Sequence, residues 1–408
     1  MGRASAYLFT PSIGYPEKPM GARKKMSTKS PPYVLIEDQS TLGRMAIELE
    51  KETAIAVDLE ADSLFHYREQ VCLLQISTPS ENFLVDPLVL KNLSPVFPVF
   101  ANSRVRKVFH GADNDIRSLH RDFHIEVNSL FDTQIAARFL GNGETGLAAL
   151  LKDRLGVLVD KKFQKKDWSK RPLPTQMLDY AVHDTSHLLE LSAMFEKELR
   201  AKNRLSWVEE ECELLSKVRQ DQRGNEPLFL RFKGAGRLDN RGLAILESIL
   251  QWRDQRAKER NLPPFKVLGN TQIMEIAKRK PRSEADLEPI KGLSSGQIKN
   301  FGPSILKRTE EAMQLPEGKL PMFPKSKRRQ MDAGVTRRVK ALKAWRIRRG
   351  REMGLDPSLV CTNAQIQSIA LISPQGQEDL NGIAGLRTWQ RKLFGGEICS
   401  LLQDQERR

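Results

Sequence analysis

The sequence predicts a mixed α/β domain, in which a sheet is flanked by helices, followed by two small all-α domains. From about residue 33 to residue 215, short apolar runs rich in β-branched residues alternate with stretches of helical periodicity. Beyond residue 238 the pattern is purely helical and repeats itself at an offset of 93 residues. The chain of 408 residues has room for several domains of ordinary size.

The α/β part begins with a hairpin-like pair of strands and continues with alternating helices and strands. Strands are expected at residues 54–60, 71–77, 82–86 and 107–110. Helices are expected at residues 40–51, 113–122, 132–140, 147–155 and 174–197. This order predicts a sheet with both parallel and antiparallel neighbours.

The helical part contains two copies of one small domain. With Trp252 placed on Trp345, residues 252–305 and 345–398 align without a gap and share 23 of 54 positions, where chance would give about three. The predicted segments are a disordered basic tail (1–32), an α/β domain (33–215), a connector (216–237), a first helical repeat (238–315), a basic linker (316–332) and a second helical repeat (333–404).

Charge is unevenly distributed along the chain. The net charge is +15, and residues 323–352 alone carry twelve Lys or Arg against two acidic residues. Such a balance indicates a polyanionic partner, either nucleic acid or an anionic membrane surface, although a solvated linker is the alternative. Since no apolar run approaches the ~20 residues of a membrane span, we expect no membrane crossing.

Cysteine usage and the N-terminal tail indicate the compartment. The four cysteines are scattered without a C-x-x-C pair, so neither a zinc site nor a disulfide framework is expected, as in a reducing cytoplasm. The first residues are basic and rich in Pro and Gly, and they lack the apolar core of a signal peptide. A start site placed too early and an organellar transit peptide are the alternatives to a disordered tail.

Asp58 and Glu60 end the apolar strand of residues 54–60. Because side chains two apart on a strand share one face, both carboxylates point the same way. Two like charges there repel each other and lose hydration, and a divalent metal ion is the usual compensation. The alternative is a strand that simply ends in solvent.

Two further acidic motifs follow. After the strand of residues 107–110, a Gly turn leads into a helix in which Asp113 is a plausible N-cap and Asp115 lies in the first turn. Tyr180 and Asp184 are four residues apart on a predicted helix, so they share a face. The D-x-E pair, Asp115 and the Y-x-x-x-D pair are specific only in combination.

This combination resembles the DEDD 3′→5′ exonucleases of the tyrosine subclass. More closely, residues 33–215 resemble the ribonuclease D family, through VCLLQIS (71–77), LVDPL (84–88), DTQ (132–134) and DWSKRPLPTQMLDYAVHD (167–184). The two repeats resemble HRDC modules, which are small nucleic-acid-binding domains. The resemblance implies a ribonuclease H-like α/β exonuclease domain followed by two HRDC bundles.

The resemblance also implies the site residues and cofactors. Two divalent ions, Mg²⁺ or Mn²⁺, would be held by carboxylates, the ligands that these hard cations prefer. Asp58 would bridge both ions, Glu60 and Asp184 would complete the site of the attacking water, and Asp115 would hold the second ion. Tyr180 would orient the water, since a phenol of pKa ~10 is a poor base.

The implied function is metal-dependent 3′→5′ trimming of tRNA precursors and other structured RNAs, which releases nucleoside 5′-monophosphates. The expected partner is RNA with a single-stranded 3′ end, and a monomer without an obligate protein partner is expected. The alternatives are a DNA exonuclease in repair and an inactive RNA-binding scaffold, but all four carboxylates and the tyrosine are present.

The basic run 161–166 and six further residues are candidate RNA contacts, with a packed loop and solvated charges as the alternative. The six are Trp168, Arg171, Arg328, Arg329, Arg346 and Arg349.

Overall fold

The computed structural model describes residues 30–90, 92–220, 224, 226–324 and 332–406. Its strands are β1 (Val34–Ile36), β2 (Ala54–Ala61), β3 (Val71–Ser77), β4 (Asn82–Val85), β5 (Arg106–Phe109) and β6 (Leu130–Asp132). They form one sheet in the order β1-β4-β3-β2-β5-β6. β3 is antiparallel to β2 and β4, and the other neighbours are parallel. The predicted mixed sheet is therefore confirmed. The predicted tail lies, up to residue 29, outside the described residues.

The predicted elements of the α/β domain occur in the predicted order, but one predicted helix is divided, and two strands and the helices Pro87–Leu90, Phe97–Ala101 and Leu205–Ser216 were not predicted. Residues 174–197 were predicted as one helix, but the structure divides them into two helices with a break at residues 186–187. β1 and β6 were not predicted, because a strand of three residues is too short to show an alternating pattern. The helices are α1 (Gln39–Leu49), α2 (Pro87–Leu90), α3 (Phe97–Ala101), α4 (Asp113–Phe123), α5 (Thr133–Leu140), α6 (Leu147–Leu155), α7 (Thr175–Thr185), α8 (Leu188–Ala201) and α9 (Leu205–Ser216).

The two helical repeats have matching helices. The first contains α10 (Asn240–Glu259), α11 (Pro264–Val267), α12 (Asn270–Arg279), α13 (Glu284–Leu287) and α14 (Ser295–Gln314). The second contains α15 (Ala333–Met353), α16 (Pro357–Val360), α17 (Asn363–Ile372) and α18 (Thr388–Glu406), with a 3-10 helix (Glu378–Gly382) at the position of α13. No helix in the described ranges is both long enough and apolar enough to cross a membrane.

Aligned residues of the two repeats make the same contacts. The aromatic rings of Trp252 and Phe301 lie 5.4 Å apart, edge to face, and those of Trp345 and Phe394 are also 5.4 Å apart. Arg253 donates to Leu268 O and Asn270 Oδ1 at 3.0 and 2.7 Å. The arginine 93 residues further along makes the two equivalent contacts at 2.8 and 2.9 Å. The sequence repeat is therefore also a structural repeat.

The two repeats are joined to the α/β domain in different ways. The second repeat shares one apolar core with the α/β domain, whereas the first has a core of its own. At the shared core, the rings of Trp207 and Trp389 stack 4.6 Å apart. The first repeat instead contacts the loop after β2, where the Tyr67 hydroxyl donates to Asp254 at 2.7 Å and the Tyr67 N–H donates to Asn261 at 3.2 Å. The second repeat is thus the more firmly attached of the two.

Candidate active site

Asp58 and Glu60 lie on the same face of β2, as predicted. Asp58 is paired with Gln75 of β3, and Glu60 is paired with Leu73. Both carboxylates line a cavity of about 350 Å³ that α7 closes with Tyr180 and other residues. The end of the central strand therefore forms one wall of the candidate active site.

A short turn places Asp115 beside this strand. β5 ends at Phe109, and Gly111 then adopts a left-handed conformation with φ of +75°. Asp132, at the end of β6, accepts hydrogen bonds from Gly111 N–H and Ala112 N–H at 3.0 and 2.8 Å and so fixes the turn. Asp115 follows in the first turn of α4, as predicted.

Asp113 does not have its predicted role as an N-cap. The N-cap of α4 is Ala112, which has no side-chain capping bond, and Asp113 is the first helical residue. Its carboxylate instead forms an ion pair with Arg117, one turn along the helix, at 2.9 Å. The helix begins at Asp113, the first residue of the predicted range, and the Asp132 carboxylate, not that of Asp113, binds the N–H groups of the turn before it.

Helix α7 brings Tyr180 and Asp184 to the same cavity. The last turn of α7 is attached to the sheet by Thr185, whose hydroxyl accepts from Ser77 at 2.7 Å. The Tyr180 ring packs between the rings of Phe163 and Trp168, with centroids 5.9 and 6.1 Å away. The phenol is therefore held in place by aromatic packing on two sides.

Burial raises the pKa of all four carboxyl groups, and repulsion by neighbouring carboxylates raises three of them further. Burial raises the pKa of Asp58 to about 7. Burial raises the pKa values of Glu60, Asp115 and Asp184 well above their ordinary range, and the charge of Asp58 raises each of them further. The Tyr180 pKa also rises, mainly through burial and then through Asp184. Four buried acids whose ionisation is opposed by burial and by neighbouring charge form a site that a bound cation would stabilise.

The residues present fit a divalent cation by their chemistry. Carboxylate oxygens are the donors that Mg²⁺ and Mn²⁺ prefer, and those of Asp58, Glu60 and Asp184 line one cavity. Asp115 does not line this cavity, but it is buried and the charge of Asp58 acts on it. Across the part of the chain that the structure describes, no three Asp, Glu, His or Cys side chains already have the spacing of metal ligands. Binding of a cation would therefore require these carboxylates to draw closer together.

Several residues of the cavity were not predicted as site residues. His110, just after β5, lines the cavity with Nδ1 2.9 Å from Thr133 Oγ1, and burial lowers its pKa. Gln134 and Gln164 also line the cavity. Gln134 belongs to the DTQ stretch (132–134), and this motif was the only feature of the sequence that could have indicated a role for Gln134 in the site. Lys161, from the predicted basic run, reaches the cavity as well.

Trp168 and Arg171 were predicted to contact RNA, and the structure gives them other roles. Trp168 has no exposed surface, so we correct that prediction: its ring supports Tyr180 from below and does not reach a ligand. Arg171 forms a two-point ion pair with the buried Asp86 at 2.5 and 2.8 Å. It also donates to Cys72 O and Trp168 O, which fixes the loop that carries the tryptophan.

The predicted RNA contacts of the second repeat are also occupied by intramolecular bonds. Arg346 joins α15 to the start of α17, like its counterpart in the first repeat. Arg349 forms ion pairs with Glu352 and Glu397 at 2.6 and 3.3 Å. Arg328 and Arg329 lie outside the described residues.

Comparison with known proteins identifies the family. The family described as 3′-5′ exonuclease matches residues 33–200, and the family described as HRDC domain matches residues 242–308 and 335–402. A ribonuclease D of Zymomonas mobilis is 31% identical over 381 residues, which cover 91% of this chain and 94% of the relative. This chain belongs to the ribonuclease D family. A ribonuclease D of Nitrobacter hamburgensis is 29% identical over 91% of this chain and 95% of its own.

A solved ribonuclease D agrees with this assignment. The crystal structure of Escherichia coli RNase D, described as an exoribonuclease involved in structured RNA processing, superimposes with a TM-score of 0.70 at 27% identity. The match covers 91% of this chain and 99% of that one. The predicted architecture, an exonuclease domain followed by helical HRDC domains, is confirmed. The protein is a hydrolase, a 3′→5′ exoribonuclease of the ribonuclease D type.

Proposed function

We propose that this ribonuclease D trims the 3′ ends of tRNA precursors and other structured RNAs by two-metal-ion hydrolysis and releases nucleoside 5′-monophosphates. The observation that carries the proposal is the group of buried carboxylates whose pKa values rise together around one cavity, with Tyr180 beside them. The cavity volume of about 350 Å³ is at the lower end for ligand sites, which suits one terminal nucleotide.

The four carboxylates would hold two divalent ions, Mg²⁺ or Mn²⁺. When bound, the ions supply an activated water and neutralise charge on the leaving oxygen. Asp58 is the central donor, because its charge acts on Glu60, Asp115 and Asp184 alike. A carboxylate whose charge acts on the other three would be suited to ligate both ions.

Tyr180 acts by positioning. Its pKa lies above the ordinary value because of burial and the neighbouring carboxylates, so the phenol keeps its proton at neutral pH. A protonated phenol donates a hydrogen bond and does not remove a proton. Packed between two aromatic rings, Tyr180 can orient the attacking water and the terminal phosphate.

A digestion of 5′-labelled RNA with a free 3′-hydroxyl tests the chemistry. We expect stepwise shortening from the 3′ end with Mg²⁺ or Mn²⁺, release of 5′-monophosphates, and no reaction in EDTA. Asp115→Asn should abolish shortening, whereas Asp113→Asn, two residues away in an exposed ion pair with Arg117, should retain it. Cleavage without metal, or internal cuts in a circular RNA, would contradict the mechanism.

A second digestion tests the substrate. tRNA precursors with 3′ extensions, unstructured RNA and DNA of matched sequence would be compared at equal concentration. We expect the precursor extension to be removed to a defined end, and DNA to be the poorest of the three because it lacks the 2′-hydroxyl. Equal rates on RNA and DNA would favour the alternative of a DNA exonuclease.

We also propose that the reaction takes place in the cytoplasm. All four cysteines are free thiols, and all are buried, which supports a reducing compartment. The protein is expected to act as a monomer, which light scattering at working concentration would test.

A further inference from the structure

The long first helix of the second repeat is far more basic than its counterpart in the first repeat. α15 carries eight basic residues and one acidic residue, whereas α10 carries four basic and three acidic residues. Since the two helices occupy equivalent positions in repeated domains, the shared fold does not explain this difference. The high positive charge is therefore specific to the second repeat.

Three of the eight basic residues of α15 are used within the repeat. Arg338 donates to Ala370 O at 2.8 Å, and Arg346 and Arg349 make the bonds described above. The other five are exposed. They are Arg337, Lys340, Lys343, Arg348 and Arg351.

These five residues form one surface, here called the α15 basic face. Their spacing of three, three, five and three residues keeps them on one side of an α-helix. Only Arg348 has an acidic neighbour, Glu352 at 3.7 Å, and its side chain is still 64% exposed. Among the described residues the other four make no ion pair or side-chain hydrogen bond.

The equivalent face of the first repeat is mostly uncharged or acidic, and its first part is covered, whereas Gln255 and Lys258 at its other end are exposed. The residues 93 positions earlier include Ala244, Glu247 and Leu250. Ala244 and Leu250 are buried. The Glu247 carboxylate accepts from the backbone N–H of Phe229 at 2.9 Å, in the connector that packs on α10. The first repeat therefore uses the part of this face from Ala244 to Leu250 for internal packing, while the second repeat leaves the same part open and basic.

We propose that the α15 basic face binds the phosphate backbone of the RNA body while the 3′ end occupies the catalytic cavity. This inference rests on the proposed function. Five exposed cations, of which only Arg348 has an acidic neighbour, provide the charge complementarity that a polyphosphate needs, and such contacts carry no sequence information. Arg346 and Arg349, which the sequence suggested, are replaced in this role by neighbours on the outer side of the same helix.

The position of the face suits an RNA that spans both sites. The cavity residue Gln134 lies at the start of α5, and α5 ends at Gly141 in direct contact with Gly354 at the end of α15. At the rise of an α-helix, Gln134 and Gly141 are roughly 10 Å apart. The face then runs for about 21 Å from Arg351 to Arg337. RNA leaving the cavity would meet it within a few nucleotides.

A membrane surface is the other polyanion that the net charge suggested. A helix that lies in a bilayer interface presents a large apolar side beneath its cations. Along the α15 basic face, Ile347 is the one large hydrophobic residue that is exposed, at 49%. The apolar side of α15 is buried inside the repeat, around Trp345 and Leu342. The face therefore favours RNA over lipid.

The test compares two triple variants of equal charge change in the full-length chain. Arg337→Gln/Lys340→Gln/Lys343→Gln removes three cations from the face. Lys291→Gln/Lys299→Gln/Lys307→Gln removes three exposed cations from the first repeat. Both carry Asp115→Asn, so that bound tRNA precursor is not degraded, and thermal unfolding checks that both fold.

We expect the first variant to bind the precursor about tenfold or more weakly at low salt. Its slope of log affinity against log salt should fall by about 2–3, while the control keeps the parental slope. Equal losses in both variants would overturn the proposal, because affinity would then follow net charge alone. Loss of binding to phosphatidylserine vesicles with unchanged RNA binding would also overturn it, in favour of a membrane contact.

Hydrolysis of a short single-stranded oligonucleotide separates this proposal from the proposed function. With Asp115 restored, both triple variants should degrade a trinucleotide at the parental rate, because it is too short to reach the face. If even the parental protein does not degrade it with Mg²⁺ or Mn²⁺, the proposed function fails, and the affinity measurements still decide the role of the face.

Discussion

Gly141 and Gly354 meet where the α/β domain contacts the second helical repeat. A Cβ atom added to Gly141 would lie only 2.3 Å from the carbonyl oxygen of Gly354. Gly141 ends α5 with φ of +88°, and Gly354 ends α15 with φ of +62°. Two helix ends can approach this closely only because a residue without a side chain stands at the contact.

Gly141→Ala should therefore destabilise the protein through two separate costs. The left-handed conformation costs a residue with a side chain about 1–2 kcal/mol, and the clash with Gly354 adds about 1–3 kcal/mol of overpacking. We expect the free energy of unfolding, measured with urea, to fall by about 2–5 kcal/mol.

Gly156→Ala is the matched control for this variant. Gly156 also ends a helix in the left-handed conformation, with φ of +69°, but a Cβ atom there would meet nothing within 4 Å. The free energy of unfolding of Gly156→Ala should therefore fall only by the cost of the left-handed conformation, about 1–2 kcal/mol. If the two variants lose the same free energy, the contact between Gly141 and Gly354 does not constrain the junction.

The sequence could predict the parts of the site that follow from local periodicity. Asp58 and Glu60 share a face because strands alternate, and Tyr180 and Asp184 share a face because a helical turn spans four residues. Both pairs line the cavity. The same rules could not predict that Trp168 is buried, because a polar, Pro-rich loop has no periodic pattern that indicates which of its side chains are buried.

The features that the sequence could not predict depend on contacts between segments that are distant in the chain. Asp132 looked like the start of a helix, and it does cap α5, but its carboxylate also binds the turn before α4. The basic residues of α15 could be counted from the sequence. Whether a given one bonds within the repeat, as Arg346 does, or stays exposed, as Arg348 does, depends on how α17 packs against α15. No local sequence pattern shows this.

Arg171→Ala should destabilise the α/β domain strongly. It would leave the carboxylate of Asp86, which is 1% exposed, buried without its cation. Loss of one partner from a buried ion pair costs about 3–5 kcal/mol. The ion pair of Arg200 with Glu196 is a control, because Arg200 is 63% exposed, and Arg200→Ala should change stability by less than about 0.5 kcal/mol. Similar losses in urea unfolding would refute a structural role for Arg171.

The stability of the sheet should depend on pH through Lys107. Its side chain is fully buried, with Nζ donating to Asn102 O and Val105 O at 2.7 and 2.6 Å, and burial lowers its pKa from 10.5 to about 8. Between these two pH values the unfolded chain holds the proton and the folded chain does not. The penalty for burying the charge is therefore fully present below pH 8 and is lost as the pH rises toward 10.5.

Lys107→Met isolates this contribution. We expect the stability of the parental protein, relative to the variant, to increase between pH 7.5 and pH 10 when both are unfolded with urea. Other groups that titrate in this range, such as the cysteines, are common to both proteins and cancel in the difference. A difference that stays constant or decreases over this interval would show that Lys107 is not the group responsible.

Gln75 should show a conflict between stability and activity. It lies across from Asp58 on β3, is fully buried, and neither its side-chain oxygen nor its nitrogen has a hydrogen-bond partner among the described residues. An unsatisfied buried amide costs about 1–3 kcal/mol. Gln75→Met, which keeps the volume and removes both polar atoms, should therefore raise the free energy of unfolding by about 1 kcal/mol.

The same variant should lower exonuclease activity. A destabilising polar group directly beside Asp58 is expected where function outweighs stability, and the amide is placed to bond the carboxylate when the site contracts around cations. Gln75→Ala serves as the comparison: it also lacks the amide but leaves a cavity, so it should lose stability as well as activity. Full activity in Gln75→Met with Mg²⁺ would show that the amide has no part in the reaction. The amide would then only lower the stability of the fold.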